Sequence, residues 1–282
     1  MEIKKVGVVG AGMMGAEIAL CFAMSGYTTV LGDINQELAD RGKERQATVL
    51  DRRIAKGRLE AGQKEEILSR VTATGSLGDM AECDLVVEAV LEILDVKTNV
   101  YKQLDRICKP EAIITSNTSS LSITKLASSV GPDRAFLGTH FNSPASVMKL
   151  VEVIPALQTK ETAVETVFAL LKAIGKEPVR VKDVVGFALN RMFHAFYLEA
   201  CRLVEEGVCS VEDVDKICRF GLGHPMGVFK LIDQTGHDLN MNVDQILFEA
   251  YGDRFRPSPQ IQRLRDAGRL GKKTGRGFYE YN

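Results

Sequence analysis

Val6-Gly7-Val8-Val9-Gly10-Ala11-Gly12-Met13-Met14-Gly15 runs from a short apolar strand straight into a glycine-rich turn. An amphipathic stretch follows, Ala16-Glu17-Ile18-Ala19-Leu20-Cys21-Phe22-Ala23, and then a second strand-like run, Thr28-Thr29-Val30-Leu31, ending at Asp33. Strand, glycine turn, helix, strand and terminal acid in that order are the setting in which G-x-G-x-x-G binds a dinucleotide. Gly10 makes the tight turn, Gly12 lets a pyrophosphate approach the backbone, and Gly15 lets the helix pack on the strand. The phosphates would sit at the helix N-terminus, where unpaired N–H groups and the helix dipole favour an anion. Asp33 lies 18 residues past Gly15, where an acid accepts hydrogen bonds from the adenosine ribose hydroxyls. Gly10, Ala11, Gly12, Met13, Met14, Gly15 and Asp33 are therefore assigned to the cofactor. NAD is expected over NADP, because Asp33 would repel a 2′-phosphate, Gly32 and Asn35 add no positive charge, and no arginine follows before Arg41.

The bulk numbers fit a soluble enzyme. A chain of 282 residues suits two domains, and 45% hydrophobic content can fill sizeable cores. A formal net charge of −1, with no basic run, leaves no electrostatic footprint for nucleic acid. No apolar run reaches the ~18 residues of a membrane span. The first strand follows Met1-Glu2-Ile3-Lys4-Lys5 almost at once, which leaves no room for a signal peptide. The six cysteines (Cys21, Cys83, Cys108, Cys201, Cys209, Cys218) are scattered without a C-x-x-C pair, as expected of reduced cytoplasmic thiols rather than disulfides or a metal site.

Beyond Asp33 helical and strand-like segments alternate. Residues 36–68 are polar and helix-prone, with Gly57 and Gly62 as breaks. They are longer than a minimal crossover, so they could form a flap or a recognition arm. Strand-like runs follow at 71–74, 84–87, 112–116 and 134–141, with helical patterns at 96–107 and 122–130 between them. Two more strands, 148–154 and 178–181, flank a helix from about 161 to 174. This alternation indicates an α/β fold, a Rossmann-like doubly wound sheet with a helical insertion. From Val185 the pattern turns helical, giving a nucleotide-binding domain at 1–184 and a small all-α C-terminal domain at 185–282. Leu189, Met192, Phe193, Phe196, Tyr197, Ala200, Cys201 and Val204 recur at helical steps and make one broad apolar face. That face is buried either by its own domain or by a second subunit as well, as in a homodimer. Ser210-Val211-Glu212-Asp213 resembles a capping box.

Only four histidines are present: His140, His194, His224 and His237. His140 ends a predicted strand, and doubly wound sheets place ligands outside the carboxyl ends of their strands. Glu152 lies 12 residues downstream in the apolar run Met148-Lys149-Leu150-Val151-Glu152-Val153-Ile154, where an unpaired carboxylate is costly. Two adjacent strands would join the pair, and a histidine held by a carboxylate makes a good general base. Lys149 or a backbone donor is the competing partner for Glu152. Ser116-Asn117-Thr118-Ser119-Ser120-Leu121-Ser122 follows another strand, and its hydroxyls can bind an anion, cap a helix or hold a substrate oxygen. Asn190, one turn into the long helix, either satisfies buried backbone or points into an interdomain cleft.

Six ordered motifs carry a resemblance that spans essentially the whole chain. They are Gly-Ala-Gly-Met-Met-Gly (10–15), Ser-Asn-Thr-Ser-Ser-Leu-Ser-Ile (116–123), Gly-Thr-His-Phe (138–141), Val-Met-Lys-Leu-Val-Glu-Val-Ile (147–154), Gly-Phe-Ala-Leu-Asn-Arg (186–191) and Gly-Lys-Lys-Thr-Gly-Arg-Gly-Phe-Tyr (271–279). Together they resemble the L-3-hydroxyacyl-CoA dehydrogenase family, at the short length of bacterial 3-hydroxybutyryl-CoA dehydrogenases. The resemblance implies reversible, NAD-dependent oxidation of an L-3-hydroxyacyl-CoA, with His140 as acid/base, Glu152 as its orienting partner, and Ser119 and Asn190 on the substrate oxygen. It also implies that Glu92, Lys97, Ser119 and Lys273 lie around the cofactor. Arg53 and Lys56 fall in the helical arm that meets CoA, although that stretch matches loosely and could be a plain solvated face. Where the family reads His-Phe-Phe-Asn-Pro, this chain has His140-Phe141-Asn142-Ser143-Pro144, so Ser143 stands on the nicotinamide side in place of an asparagine. Either Asn142 compensates or the pocket is reshaped for an unusual acyl group. A dehydrogenase of free hydroxy acids or sugar acids on the same fold, and a non-catalytic binding protein, are the competing readings.

Overall fold

The computed structural model describes residues 2–281, which divide into two compact units at Val184/Val185. In the first unit eight strands form one sheet. They are β1 (Lys5–Val9), β2 (Thr28–Gly32), β3 (Val71–Thr74), β4 (Leu85–Glu88), β5 (Ile113–Ser116), β6 (Phe136–Phe141), β7 (Leu150–Pro155) and β8 (Glu177–Arg180). Their order is β3-β2-β1-β4-β5-β6-β7-β8, and every neighbouring pair is parallel except the antiparallel β6–β7. The first six reproduce the 3-2-1-4-5-6 order of a dinucleotide-binding sheet. Central strands such as Leu85-Val86-Val87 and Ile113-Ile114 are buried along their whole length, hence their unbroken apolar runs.

Helices α1 (Met13–Met24), α2 (Gln36–Ala55), α3 (Ala61–Ser69), α4 (Leu94–Ile107), α5 (Ile123–Ala127) and α6 (Glu161–Ala173) connect the strands. The helical insertion is α2 and α3, joined by a turn at Gly57 (φ +65°). Gly62, expected to be a break, instead lies within α3, one residue past its start, where a glycine costs little. Gly42 of α2 sits where a Cβ would come within 2.7 Å of the Ala11 Cβ, so the insertion packs directly on the glycine turn. α4 buries Lys97, Tyr101 and Leu104 at steps of four and three, one face turned into the unit. The short α5 is held at its start by Ser122 and by Asp183, whose carboxylate accepts from Ile123 N, Thr124 N and Ser122 Oγ at 3.0, 2.7 and 2.9 Å.

The second unit contains α7 (Leu189–Glu205), α8 (Val211–Lys216), α9 (Val228–Thr235), α10 (His237–Tyr251) and α11 (Pro259–Asp266). α8 starts on Ser210, whose hydroxyl accepts from Asp213 N. α7 buries Tyr197, Leu198, Ala200 and Cys201 in this unit's own core, with Phe193, Phe196 and Val204 packed against it. Met192 departs from the expected apolar face, at 72% exposed. A polar residue, His194, takes a buried place on the helix, its Nδ1 2.7 Å from Asp244 Oδ1. The same Asp244 accepts from the Tyr197 hydroxyl.

Candidate active site

The glycine turn follows β1. Gly10 has φ +99°, and a Cβ there would lie 2.6 Å from Ala89 O; a Cβ on Gly15 would lie 1.7 Å from Gly10 O. Both positions are glycine for reasons internal to the fold. Gly12 differs: a Cβ there meets no protein atom within 4 Å. Nothing in the chain demands glycine at this N-cap of α1, whereas a pyrophosphate resting on the backbone does. Asp33, just past β2, accepts from Ala11 N at 2.6 Å through Oδ2 and from Ile34 N at 2.7 Å through Oδ1, so its carboxylate is fixed against the turn. The cofactor residues of the turn and Asp33 therefore form one feature, and it fits a dinucleotide.

Antiparallel pairing of β6 with β7 places His140 directly opposite Glu152. Opposed residues share a face of the sheet. His140 Nδ1 lies 2.8 Å from Glu152 Oε2, and both residues are buried, at 5% and 1% exposed. On the other side of the ring, Nε2 lies 3.0 Å from Ser119 Oγ. Ser119, His140 and Glu152 are thus a continuous line of hydrogen-bonding groups, and Lys149 is not the carboxylate's partner in it.

A second polar network holds Ser119. Glu92 Oε1 accepts from Ser119 N at 2.8 Å, Ser120 N at 3.0 Å and the Thr118 hydroxyl, which pins the 118–120 turn. Glu92 Oε2 is 3.2 Å from Lys97 Nζ, which also lies 2.6 Å from Glu88 Oε1. Glu88 is fully buried and accepts further from Ser116 Oγ at 3.0 Å, Val90 N at 2.7 Å and the Tyr101 hydroxyl. Burial, and then the Glu88 charge, push the Tyr101 phenol well above its ordinary value, so it remains a donor. Burial alone would raise Glu92, but Lys97 and the donors from Thr118 and Ser119 outweigh it and hold the carboxyl below its usual range. Glu88 and Tyr101 support this candidate site without having been singled out in the sequence, whereas Ser116 belongs to the hydroxyl cluster already noted there. The signal was available, since Glu88 ends the apolar run Leu85-Val86-Val87 much as Glu152 interrupts its own strand.

The remaining candidates are more dispersed. Ser143 is exposed in the β6–β7 loop. The Asn142 amide donates back to Leu150 O at 3.3 Å, so one of its two N–H donors is committed to the hairpin. Arg53, half-buried on α2, donates to Ser146 O at 2.6 Å, and Lys56 is exposed at the end of that helix. Between α1 and α2 runs a cleft of about 280 Å³ lined by Met13, Glu17, Arg45, Val49 and Arg52 among others. In the second unit Asn190 is half-buried in the first turn of α7, not a turn further in, and Lys273 Nζ lies 2.5 and 2.6 Å from the two oxygens of Asp238. Among the described residues no cluster of histidine, cysteine and carboxylate groups could hold a metal ion, and no helix is long and apolar enough to cross a membrane.

A dinucleotide turn on a doubly wound sheet, with a histidine–carboxylate pair near the carboxyl ends of its strands, defines a dinucleotide-dependent oxidoreductase. Comparison with known proteins narrows the class. Residues 5–184 match the family described as 3-hydroxyacyl-CoA dehydrogenase, NAD binding domain, and residues 186–281 its C-terminal domain. A probable 3-hydroxybutyryl-CoA dehydrogenase of Deinococcus radiodurans is 42% identical over 98% of this chain and 100% of its own. Among solved structures, the (S)-3-hydroxybutyryl-CoA dehydrogenase PaaH1 of Ralstonia eutropha superposes with a TM-score of 0.93 at 40% identity, covering 100% of both chains. FadB2 of M. tuberculosis does so with a TM-score of 0.95 at 37% identity, also covering 100% of both. The chain belongs to the 3-hydroxyacyl-CoA dehydrogenase family and is an NAD-dependent oxidoreductase.

Proposed function

We propose that the substrate is a short-chain L-3-hydroxyacyl-CoA, such as 3-hydroxybutyryl-CoA, oxidised reversibly at C3, and that Ser119, His140 and Glu152 carry the proton. The observation that carries the proposal is the line Ser119 Oγ–His140 Nε2 at 3.0 Å and His140 Nδ1–Glu152 Oε2 at 2.8 Å. NAD, held by the turn at residues 10–15 and by Asp33, would supply the hydride acceptor for C3. The neutral imidazole donates its Nδ1–H to Glu152, which leaves Nε2 as the base for the substrate hydroxyl. As the proton arrives, Glu152 stabilises the imidazolium. In the reverse direction His140 returns the proton to the 3-oxo oxygen. Ser119 and Asn190 position that oxygen, and Glu92, Lys97, Ser143 and Lys273 complete the surroundings of the cofactor.

Asp33 supports NAD over NADP, since its fixed charge would face a 2′-phosphate. Arg53 and Lys56 on the helical arm are proposed to meet the CoA phosphates, with the cleft between α1 and α2 beside them. The free state of all six cysteines supports a cytoplasmic setting. A kinetic assay tests the reaction. With acetoacetyl-CoA the protein should oxidise NADH, NADPH should be at least about 10-fold poorer in kcat/KM (about 1.4 kcal/mol), and free acetoacetate should not turn over. Turnover of the free acid at a rate comparable to the thioester would reject the CoA assignment.

The active form is proposed to be a homodimer joined through the 185–282 unit, which exposes Phe220 at 77%, Met192 at 72%, Ile217 and Leu222. Light scattering at micromolar concentration should report the mass of two chains. The mass of one chain would contradict it.

A further inference from the structure

The loop joining β6 to β7, residues 142–149, is held by four side chains from elsewhere in the first unit, the weakest of them the Cys21 thiol on α1, which donates to Ala145 O at 3.3 Å. Lys176, almost fully buried, donates Nζ to Ala145 O at 2.5 Å and Met148 O at 2.9 Å. Glu17 on α1 accepts from Ser146 N at 3.0 Å and Ser146 Oγ at 3.2 Å. Arg53 on α2 donates Nη2 to Ser146 O at 2.6 Å. Both main-chain groups of Ser146 are thus taken by side chains, one from the helix that begins at the glycine turn and one from the helical arm. Lys176 already anchors the loop through two of its carbonyls, those of Ala145 and Met148. The second pair of tethers adds a connection to the two elements that meet the proposed ligands.

Ser146 lies six residues after His140 and six before Glu152, the two residues opposed in the β6–β7 register. It is the midpoint of the connection between the proposed proton-carrying strands, so a displacement there acts on both. We infer that Glu17 and Arg53 are positioning residues that latch the helical arm to this hairpin, so that acyl-CoA bound along the arm aligns His140 with Glu152. The inference rests on the acyl-CoA reading of the preceding subsection. Interactions with the non-reacting part of a substrate raise kcat only when they are expressed at the reacting centre. A rigid path from α2 through Arg53 and Ser146 into the hairpin gives them that expression. Misplacing reacting groups by about 1 Å can cost on the order of 10²-fold in rate, so a small movement of the loop is enough.

The test compares acetoacetyl-CoA with the N-acetylcysteamine thioester of acetoacetate, which carries the same reacting group and no nucleotide. The quantity read is the ratio of kcat for the two substrates. In the wild-type protein the ratio should be about 10 or more. In Glu17→Ala and Arg53→Ala it should fall by about 10-fold, with the Kd for NADH unchanged as the check on folding. Glu17 decides the matter, because an anion offers the CoA phosphates nothing, and its loss cannot be a lost phosphate contact. Glu17→Gln, isosteric and less able to hold the Ser146 N–H, should shift the ratio in the same direction if the alanine variant does not fold. Equal losses of kcat on both substrates would reduce the latch to an ordinary loop anchor and overturn the proposal. So would a raised KM for acetoacetyl-CoA with kcat intact, or a wild-type ratio near one. Wild-type protein inactive on both thioesters would instead refute the proposed substrate, a separate outcome.

Discussion

Glu152→Gln should lower kcat by about 10²-fold, and His140→Ala by about 10³–10⁴-fold, with NADH binding and thermal stability of the first unit nearly unchanged for the glutamine variant. The difference in size follows from what each change removes. Glutamine can still accept from Nδ1–H at the 2.8 Å separation, but it carries no charge to stabilise the imidazolium, and its amide can flip to favour the wrong tautomer. Alanine at 140 removes the base itself. Steady-state rates of acetoacetyl-CoA reduction, with NADH affinity measured separately, check both. A Glu152→Gln enzyme within about twofold of wild type would mean that the carboxylate is a structural partner only.

Lys97→Met should destabilise the protein by about 3–5 kcal/mol, because it leaves the fully buried Glu88 carboxylate without its cation. For a unit of this size that corresponds to roughly 6–20 °C in Tm. Adding Glu88→Gln should recover much of the loss, since the double variant no longer buries an unpaired charge. A change in Tm below about 2 °C for Lys97→Met would show that Glu88 is held adequately by Tyr101, Ser116 and Val90 alone. The same lysine governs the acid side of the stability profile. Glu92 is held below its ordinary range, so the stability it contributes is present above the unfolded value of about 4.3 and is lost as pH falls through the lowered folded value. Without Lys97 that acid limb should move to higher pH, and thermal melts between about pH 3 and 6 would show it.

The glycine turn, the alternation of strands and helices and the His140–Glu152 pairing were legible in the sequence because each is a local demand. A positive-φ turn needs glycine, a buried strand needs an unbroken apolar run, and a glutamate within such a run needs a partner. What stayed hidden depends on three-dimensional neighbours. The antiparallel sense of β7 follows from a loop of eight residues rather than from any pattern within the strand. Glu88 carried the same signature as Glu152 but sits at a strand end, where an acid reads equally well as a turn residue. His194 was masked by the apolar residues around it on α7, and its partner Asp244 is 50 residues away on α10. Arg53 looked like part of a solvated or phosphate-facing helix surface, and only the fold shows its guanidinium on Ser146.

The protonation state of a single ring decides the proposed mechanism. The tautomer is set by the chemistry at each ring nitrogen, so the ¹⁵N chemical shifts of His140, assigned by their loss in His140→Ala, are the measurement to make on the NAD-bound protein, the form in which His140 must act as a base. A neutral imidazole protonated at Nδ1, toward Glu152, with an unprotonated Nε2 facing Ser119, is the expected result. A neutral imidazole protonated at Nε2 would leave no base for the substrate hydroxyl and would contradict the assignment of His140 as the residue that takes the proton.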